Sequence, residues 1–448
     1  MWQLIPYTIA SLEGGKGAPV EIGGDIRWRP SSNLGADLTI NPDFALVEAD
    51  VEEINLTRFE VRVPEKRPFF LEGTEMFNQR IRQFHSRRIG EITWGVKTNG
   101  KLSDTDFSFI VASEDLGLAG DPKEKTAYYG ILRAQHSLAS GSNIGLLVTD
   151  RLLGNENAGS IGFDTTAYFT DTLSFTGQLL RVHGPTADGG LVWFARPSYD
   201  ISTTHFHIRY GKIAAGIRND LNAVGFLEDD DRTEFDTNAS HIFAFDAGRL
   251  ERVIAVVNYN RYTSEDGGVL RGWALSPTVE AVFRNGWEFE IARRDEFRLF
   301  EKKFQNHRTT FTVGWNGRDG CSVSAYVGSG RNFDNDLLLY GGTAQWSFGD
   351  RWRLMYGLTR LALEPDLSRE STTIHVFETT YTFNPDLFVK LFVQSNSTIA
   401  KENVQLLGVW RFNPPFGSLQ IAYQRGTSEF GQQSQQGDTF FTKLAYVL

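Results

Sequence analysis

One cysteine, Cys321, stands in 448 residues, so no disulfide can form within the chain and there is no cysteine framework to read. No motif surrounds it, and it reads as a small strand residue rather than a nucleophile. No run of 18 or more apolar residues occurs, which excludes a helical membrane span. A membrane barrel escapes that test, because alternation halves the apolar content of each spanning segment. A basic excess is also missing: 45 Lys and Arg face 55 Asp and Glu, a net charge of -10. That balance argues against nucleic acid as the main partner. Nucleophile elbow, H-E-x-x-H, P-loop and dinucleotide fingerprint are all absent, so no catalytic residue and no cofactor is assigned. The opening "MWQLIPYTIA" lacks the charged and long apolar regions of a secretory signal, so export would need a start further upstream.

What is present is aromatic and glycine-rich: 13% aromatic residues and 44 glycines, which suits strands and tight turns better than helices. From about residue 90 onward, strand-like segments follow one another with almost no helical periodicity. In "NPDLFVKLFVQSNST" (384–398), Leu387, Val389, Leu391 and Val393 fall on one parity, and Lys390 and Gln394 on the other. Successive strand side chains point to opposite faces, so the stretch has an oily face and a mixed, charged one. "WEFEIARR" sets Trp287, Phe289 and Ile291 against Glu288 and Glu290, and "SLQIAYQR" sets Leu419, Ile421 and Tyr423 against Gln420 and Gln424. A water-soluble sandwich also alternates, but a second sheet must cover its apolar face.

The connectors alternate between short and long. "NPPFG", "NPD", the Gly349–Asp350 pair, "NGRDG" and "DAG" are tight, whereas "TSEFGQQSQQG", "SNSTIAKEN", "EPDLSRES", "GSGRNFDND", "EFRLFEKKFQNH" and "NDLNAVGFLEDDDRTE" read as long. Up-and-down outer-membrane barrels have this asymmetry, with short periplasmic turns and long outer loops. No blade motif of a propeller recurs. Trp287, Trp315, Trp346, Trp352 and Trp410 near strand ends suit interfacial girdles. The final "FFTKLAYVL" places Phe440, Leu444, Tyr446 and Leu448 on one parity, resembling the C-terminal strand that barrel-assembly machinery reads, with Leu448 in place of the usual aromatic. The expected fold is therefore all-β: one large antiparallel transmembrane β-barrel over 1–448, with an even total of about 24 strands. Its first strand (residues 2 to 10) rises from the periplasm, and both termini lie on that side.

So wide a barrel has a lumen that wall side chains cannot fill. Residues 41–90 break the alternation and are too long for a simple loop. An acidic half, Asp43, Glu48, Asp50, Glu52 and Glu53, precedes a basic one: Arg58, Arg62, Lys66, Arg67, Arg80, Arg82, Arg87 and Arg88. Interleaved with Phe59, Phe69, Phe70 and Phe77, these charges suggest inward folding as a lumenal plug or constriction.

The strings "NPDFALVEAD", "NLTRFE", "PEKRPFFLEG", "SRRIG" and "NDLNAVGFL" resemble an uncharacterised family of bacterial outer-membrane barrel proteins. In that family a domain of unknown function usually follows a carbohydrate-binding family 9-like domain. The resemblance is most specific over 41–90 and extends to nearly the whole chain. It implies the barrel and the bacterial outer membrane but no chemistry. The sugar-binding-like domain is not in this sequence, so carbohydrate binding is not carried over.

The carboxylates at 43–53 could serve Ca²⁺, which takes roughly six to eight oxygens, but their spacing is not an EF-hand and ion pairing with the nearby arginines is the blander alternative. Glu228, Asp229, Asp230 and Asp231 read as a solvated charge run, with a cation bridge to lipopolysaccharide as the sharper reading. His205 and His207 share a strand face without a third ligand in view. No metal site is assigned. The leading expectation is a channel or transporter whose lumen is lined by Glu288, Glu290, Lys390, Arg411 and Gln420, constricted by 41–90. A plugged scaffold for surface or periplasmic partners comes second, and an outer-membrane hydrolase third. Outer-membrane lipid, lipopolysaccharide and the assembly machinery are the expected partners.

Overall fold

The computed structural model describes residues 1–13, 16–17, 20–42, 50–117, 126–187, 189–317, 320–414, 416–426 and 438–448. Among these residues a single sheet of 25 strands forms. One of them, Lys16–Gly17, is a two-residue piece on the same partner strand as Glu21–Ser31, so 24 strands make the wall. Each strand pairs antiparallel with its neighbour in the chain. The wall closes where Trp2–Glu13 pairs with Asp438–Tyr446, in the register Tyr7↔Ala445 to Glu13↔Thr439. The last residue completes the seam: the Leu448 N–H donates to the Leu4 carbonyl at 2.8 Å. Closure leaves no free sheet edge, the condition for strands to cross a bilayer.

Alternation sorts the faces as expected. Trp287, Phe289 and Ile291 lie outward at 43%, 48% and 43% exposure, while Glu288 and Glu290 between them are half-buried on the lumen side. Phe440, Leu444, Tyr446 and Leu448 likewise face outward. Outward-facing tryptophans gather at the rim that carries the termini: Trp2, Trp28, Trp287, Trp346, Trp352 and Trp410 are exposed there, and Trp2 stacks on Trp28 at 5.3 Å. Indoles of this kind anchor a barrel at the headgroup level.

Three connectors expected to be long are mostly strand; in "SNSTIAKEN" only 397–400 lie between Leu387–Asn396 and Lys401–Phe412. Trp287–Leu299 and Lys303–Asn316 leave only 300–302 between them, and Ser322–Asn332 and Asn335–Phe348 leave only 333–334. The first strand also runs past residue 10, to Glu13. The extensions at 300–302 and 333–334 have a local cause. Phe300, Phe304 and Phe333 surround the Arg58 guanidinium at 5.0, 5.0 and 4.6 Å, and Glu301 pairs with it at 2.6 Å. Phe304 stands in the ladder, and Phe300, Glu301 and Phe333 sit at the two tight hairpin tips, all gathered about a cation from the 41–90 segment.

Candidate functional site

Leu34–Ile40 and Ile92–Leu102 are paired neighbours in the wall, with Ile40 opposite Trp94. Between them, residues 50–90 lie in the lumen. Little of this plug is regular. Pro68 stands in the first turn of the single-turn helix Pro68–Leu71, where its missing N–H costs nothing. Gly73, at φ +78°, turns the chain into the 3₁₀ turn Thr74–Phe77. Because so few of its backbone groups bond to each other, side chains must satisfy them.

Arg67 does much of this. Its guanidinium donates to the carbonyls of Ser86, Ile89 and Gly90 at 2.7, 2.6 and 2.7 Å and to both Glu65 oxygens. It also lies 4.5 Å over the Phe70 ring. One buried residue thus joins the "PEKRPFFLEG" and "SRRIG" strings. Arg87 reaches Asp50 at 2.9 Å, Lys66 reaches Asp50 at 3.5 Å, and Arg88 reaches Glu60 at 2.7 Å.

The wall holds the plug through polar clasps on separate strands. Glu52 pairs with Lys401 at 2.7 Å, their side chains 3% and 0% exposed. Gln394 accepts from the Glu52 N–H at 2.8 Å and donates to the Asp50 carbonyl at 3.2 Å. Further round, Lys97 donates to the Phe69 carbonyl at 2.7 Å, and Gln178 makes two bonds with the Ile81 backbone. Arg133, paired with Asp164 at 2.5 and 2.9 Å, donates to the Met76 carbonyl. Between the clasps lies the apolar seam: Phe70, Phe77, Phe84 and Ile89 pack against Ile92, Ile110, Tyr129, Ile131 and Leu147. Each such buried side chain contributes about 1.5–3 kcal/mol. Gly95 permits the approach, since a Cβ there would stand 2.8 Å from the Phe69 ring.

A second segment clamps the plug. The loop after Thr204–Ile213 carries the short helix Arg218–Leu221, buries Ala223 and Val224 in the same seam, and forms a bridge between Phe226 and Arg82. Arg88 donates to the Gly225 carbonyl at 3.1 Å, and the His85 N–H to that of Val224 at 2.8 Å. This is the "NDLNAVGFL" string.

Among the carboxyl and imidazole groups of the plug, Glu65 and His85 are shifted. Burial pushes the Glu65 carboxyl up, but the Arg67 hydrogen bond and charge outweigh it and hold the group below the usual carboxylate range. Burial, then the charges of Arg88 and Arg62, lower the His85 imidazole to about 4, with Glu60 and Glu65 opposing. A histidine depressed in the folded state binds its proton first in the unfolded one, so stability falls as pH drops from 6.5 toward 4. Between pH 7 and pH 5 the expected loss is about 2 kcal/mol. Thermal unfolding of the protein in detergent should show a lower midpoint at pH 5, and His85→Gln should remove most of that difference. Glu65 acts separately, its contribution being lost only below about pH 4.5.

Of the sequence-singled charges, Asp50, Glu52, Arg58, Lys66, Arg67, Arg87 and Arg88 are brought into these contacts, whereas Glu53 and Arg62 are exposed. Asp43 and Glu48 lie outside the described residues. The acidic run is engaged within its own loops: both Asp229 oxygens take Arg271 at 3.0 Å, Asp230 accepts from the Arg218 N–H, and Asp231 from that of Glu265. His205 and His207 bond each other at 2.8 Å, flanked by Asp200 at 2.5 Å and Asp236 at 3.0 Å. Among the described residues no cluster of three His, Cys, Asp or Glu is arranged to hold a metal. Lys390 faces the lumen beside Glu378 at 3.8 Å. The clasp residues on the wall, Lys97, Arg133, Asp164, Gln178 and Lys401, were not anticipated. Their one sequence signal is a charged or amide side chain at an inward parity.

This geometry defines a class: a large antiparallel transmembrane β-barrel with an inward-folded plug. Residues 2–113 match the family model described as a domain of unknown function, DUF5916. No curated protein matches the chain. Among solved structures it is similar to the siderophore receptor PirA from Pseudomonas aeruginosa, with a TM-score of 0.51 at 5% identity over 100% of this chain and 80% of that one. It is also similar to the copper transporter OprC, with a TM-score of 0.52 at 10% identity over 100% and 80%. At such identities the shared property is the fold.

Proposed function

We propose that the protein is an outer-membrane channel or transporter whose passage is constricted by the 41–90 segment, with the rim bearing the termini in the periplasm. One observation carries this reading. Among the described residues, cavities of about 370 and 520 Å³ remain along the seam between plug and wall. Beside the apolar seam, the plug's grip depends on discrete polar clasps, whose hydrogen bonds can be exchanged for water. The likeness in fold to a siderophore receptor and a copper transporter supports passage, and the solute is a separate matter.

Planar bilayers test it. Deleting 41–90 should raise the conductance well above that of the intact chain, and no current from either protein would remove the reading. The depth of the clasps favours a second reading, a permanently plugged scaffold for a surface or periplasmic partner. Co-purification from gently solubilised membranes, with no solute flux, would favour that alternative.

A further inference from the structure

The 370 Å³ cavity lies between the plug and the wall strands Leu191–Ile201, Thr204–Ile213 and Arg232–Ala244. Its lining sets six cations against two carboxylates. Arg62, Arg80 and Arg82 come from the plug, and Arg209, Lys212 and Arg232 from the wall, against Glu228 and Glu234. Some of this charge is matched. Arg209 reaches Glu234 at 2.6 Å and Asp236 at 3.3 Å, and Lys212 reaches Glu265 at 3.2 Å. The remainder is not. Glu234 is shared further with Arg232 at 2.8 Å and with Arg80 at 3.6 Å. Arg62 and Arg82 make no ion pair among the described residues. The buried Arg232 Nε has no hydrogen-bond partner there. Like charges are crowded as a result: burial and then Arg62 lower the Arg82 pKa.

Surplus guanidinium in a half-desolvated concavity is stabilised by an oxyanion, and its planar fork matches two oxygens of a carboxylate or phosphate. Clefts lined by one sign of charge also concentrate the opposite sign from solution. The volume is that of a small-molecule site. We infer that this cavity binds a small solute carrying a carboxylate or phosphate group, held between Arg80 and Arg82 of the plug and Arg232 of the wall. Its role as the transported solute rests on the passage reading, whereas its binding does not. Because the cations come from both sides of the seam, the anion bridges plug and wall.

Isothermal titration of the full chain in detergent micelles tests this, with citrate and glucose 6-phosphate as probes and glucose as the neutral control. At least one anion should bind and glucose should not. Arg80→Gln with Arg82→Gln should weaken binding about tenfold or more, the loss expected for one charge-assisted hydrogen bond. Arg82→Lys should lose less, and Lys101→Gln, at the terminal rim, should lose nothing. Should the double variant not fold, the exposed Arg62→Gln serves instead and should weaken the same anion. No binding of either anion, equal binding of glucose, or binding unchanged by these arginine substitutions would overturn the site. Bilayer current without anion binding would sink the site and leave passage standing. Anion binding without current would do the reverse.

Discussion

Lys401→Met is expected to release the plug at its first clasp. The substitution leaves the Glu52 carboxylate buried, 2.7 Å from where its cation stood. Removing one partner of a buried pair costs about 3–5 kcal/mol, because the remaining charge loses its compensation without regaining water. The cheapest escape is for residues 50–54 to swing out with the carboxylate, breaking both Gln394 bonds. Trypsin should then cut the 58–67 stretch faster than in the unaltered protein. The double variant Glu52→Leu with Lys401→Met should recover most of the protection, since an apolar pair of similar volume replaces a buried ion pair at little net cost. Equal cleavage of Lys401→Met and the unaltered chain would show that this pair does not hold the plug.

Arg67→Met should be at least as damaging, by about 3–5 kcal/mol, but through the interior of the plug. It removes the main cation of Glu65, leaving Arg87 at 4.0 Å and two backbone N–H groups, and takes the guanidinium donor from the Ser86, Ile89 and Gly90 carbonyls. Arg67→Lys keeps the charge yet recovers little, because an ammonium cannot reproduce the fork that joins those carbonyls to both Glu65 oxygens. The measurement is the thermal midpoint together with tryptic cleavage within 65–90. A lysine variant as stable as the natural protein would show that charge alone matters there.

The barrel was legible because its information is local and periodic. The parity of "WEFEIARR" and "FFTKLAYVL" follows from strand geometry alone, and a closed up-and-down order repeats that pattern. The plug was legible as a break in the pattern, dense in charge of both signs. Their partners were not legible. Lys401 meets Glu52 across 349 positions, and nothing at either site announces the other. The 296–307 and 328–336 stretches were misread for the same reason, since their aromatic and charged residues answer to Arg58, far away in sequence. "NDLNAVGFL" was visible as a family string and as part of a long connector. Its role in closing over the plug needed the fold to bring Val224 and Gly225 to His85 and Arg88.

The plug leaves and rejoins the wall at adjacent strands, Leu34–Ile40 and Ile92–Leu102. However many clasps are undone, it stays leashed at one point of the circumference and cannot diffuse away. Its local concentration at the docking residues therefore stays in the range of a short tether rather than that of a free peptide. Any opening is a swing about that edge, and return needs no second molecule to be recruited.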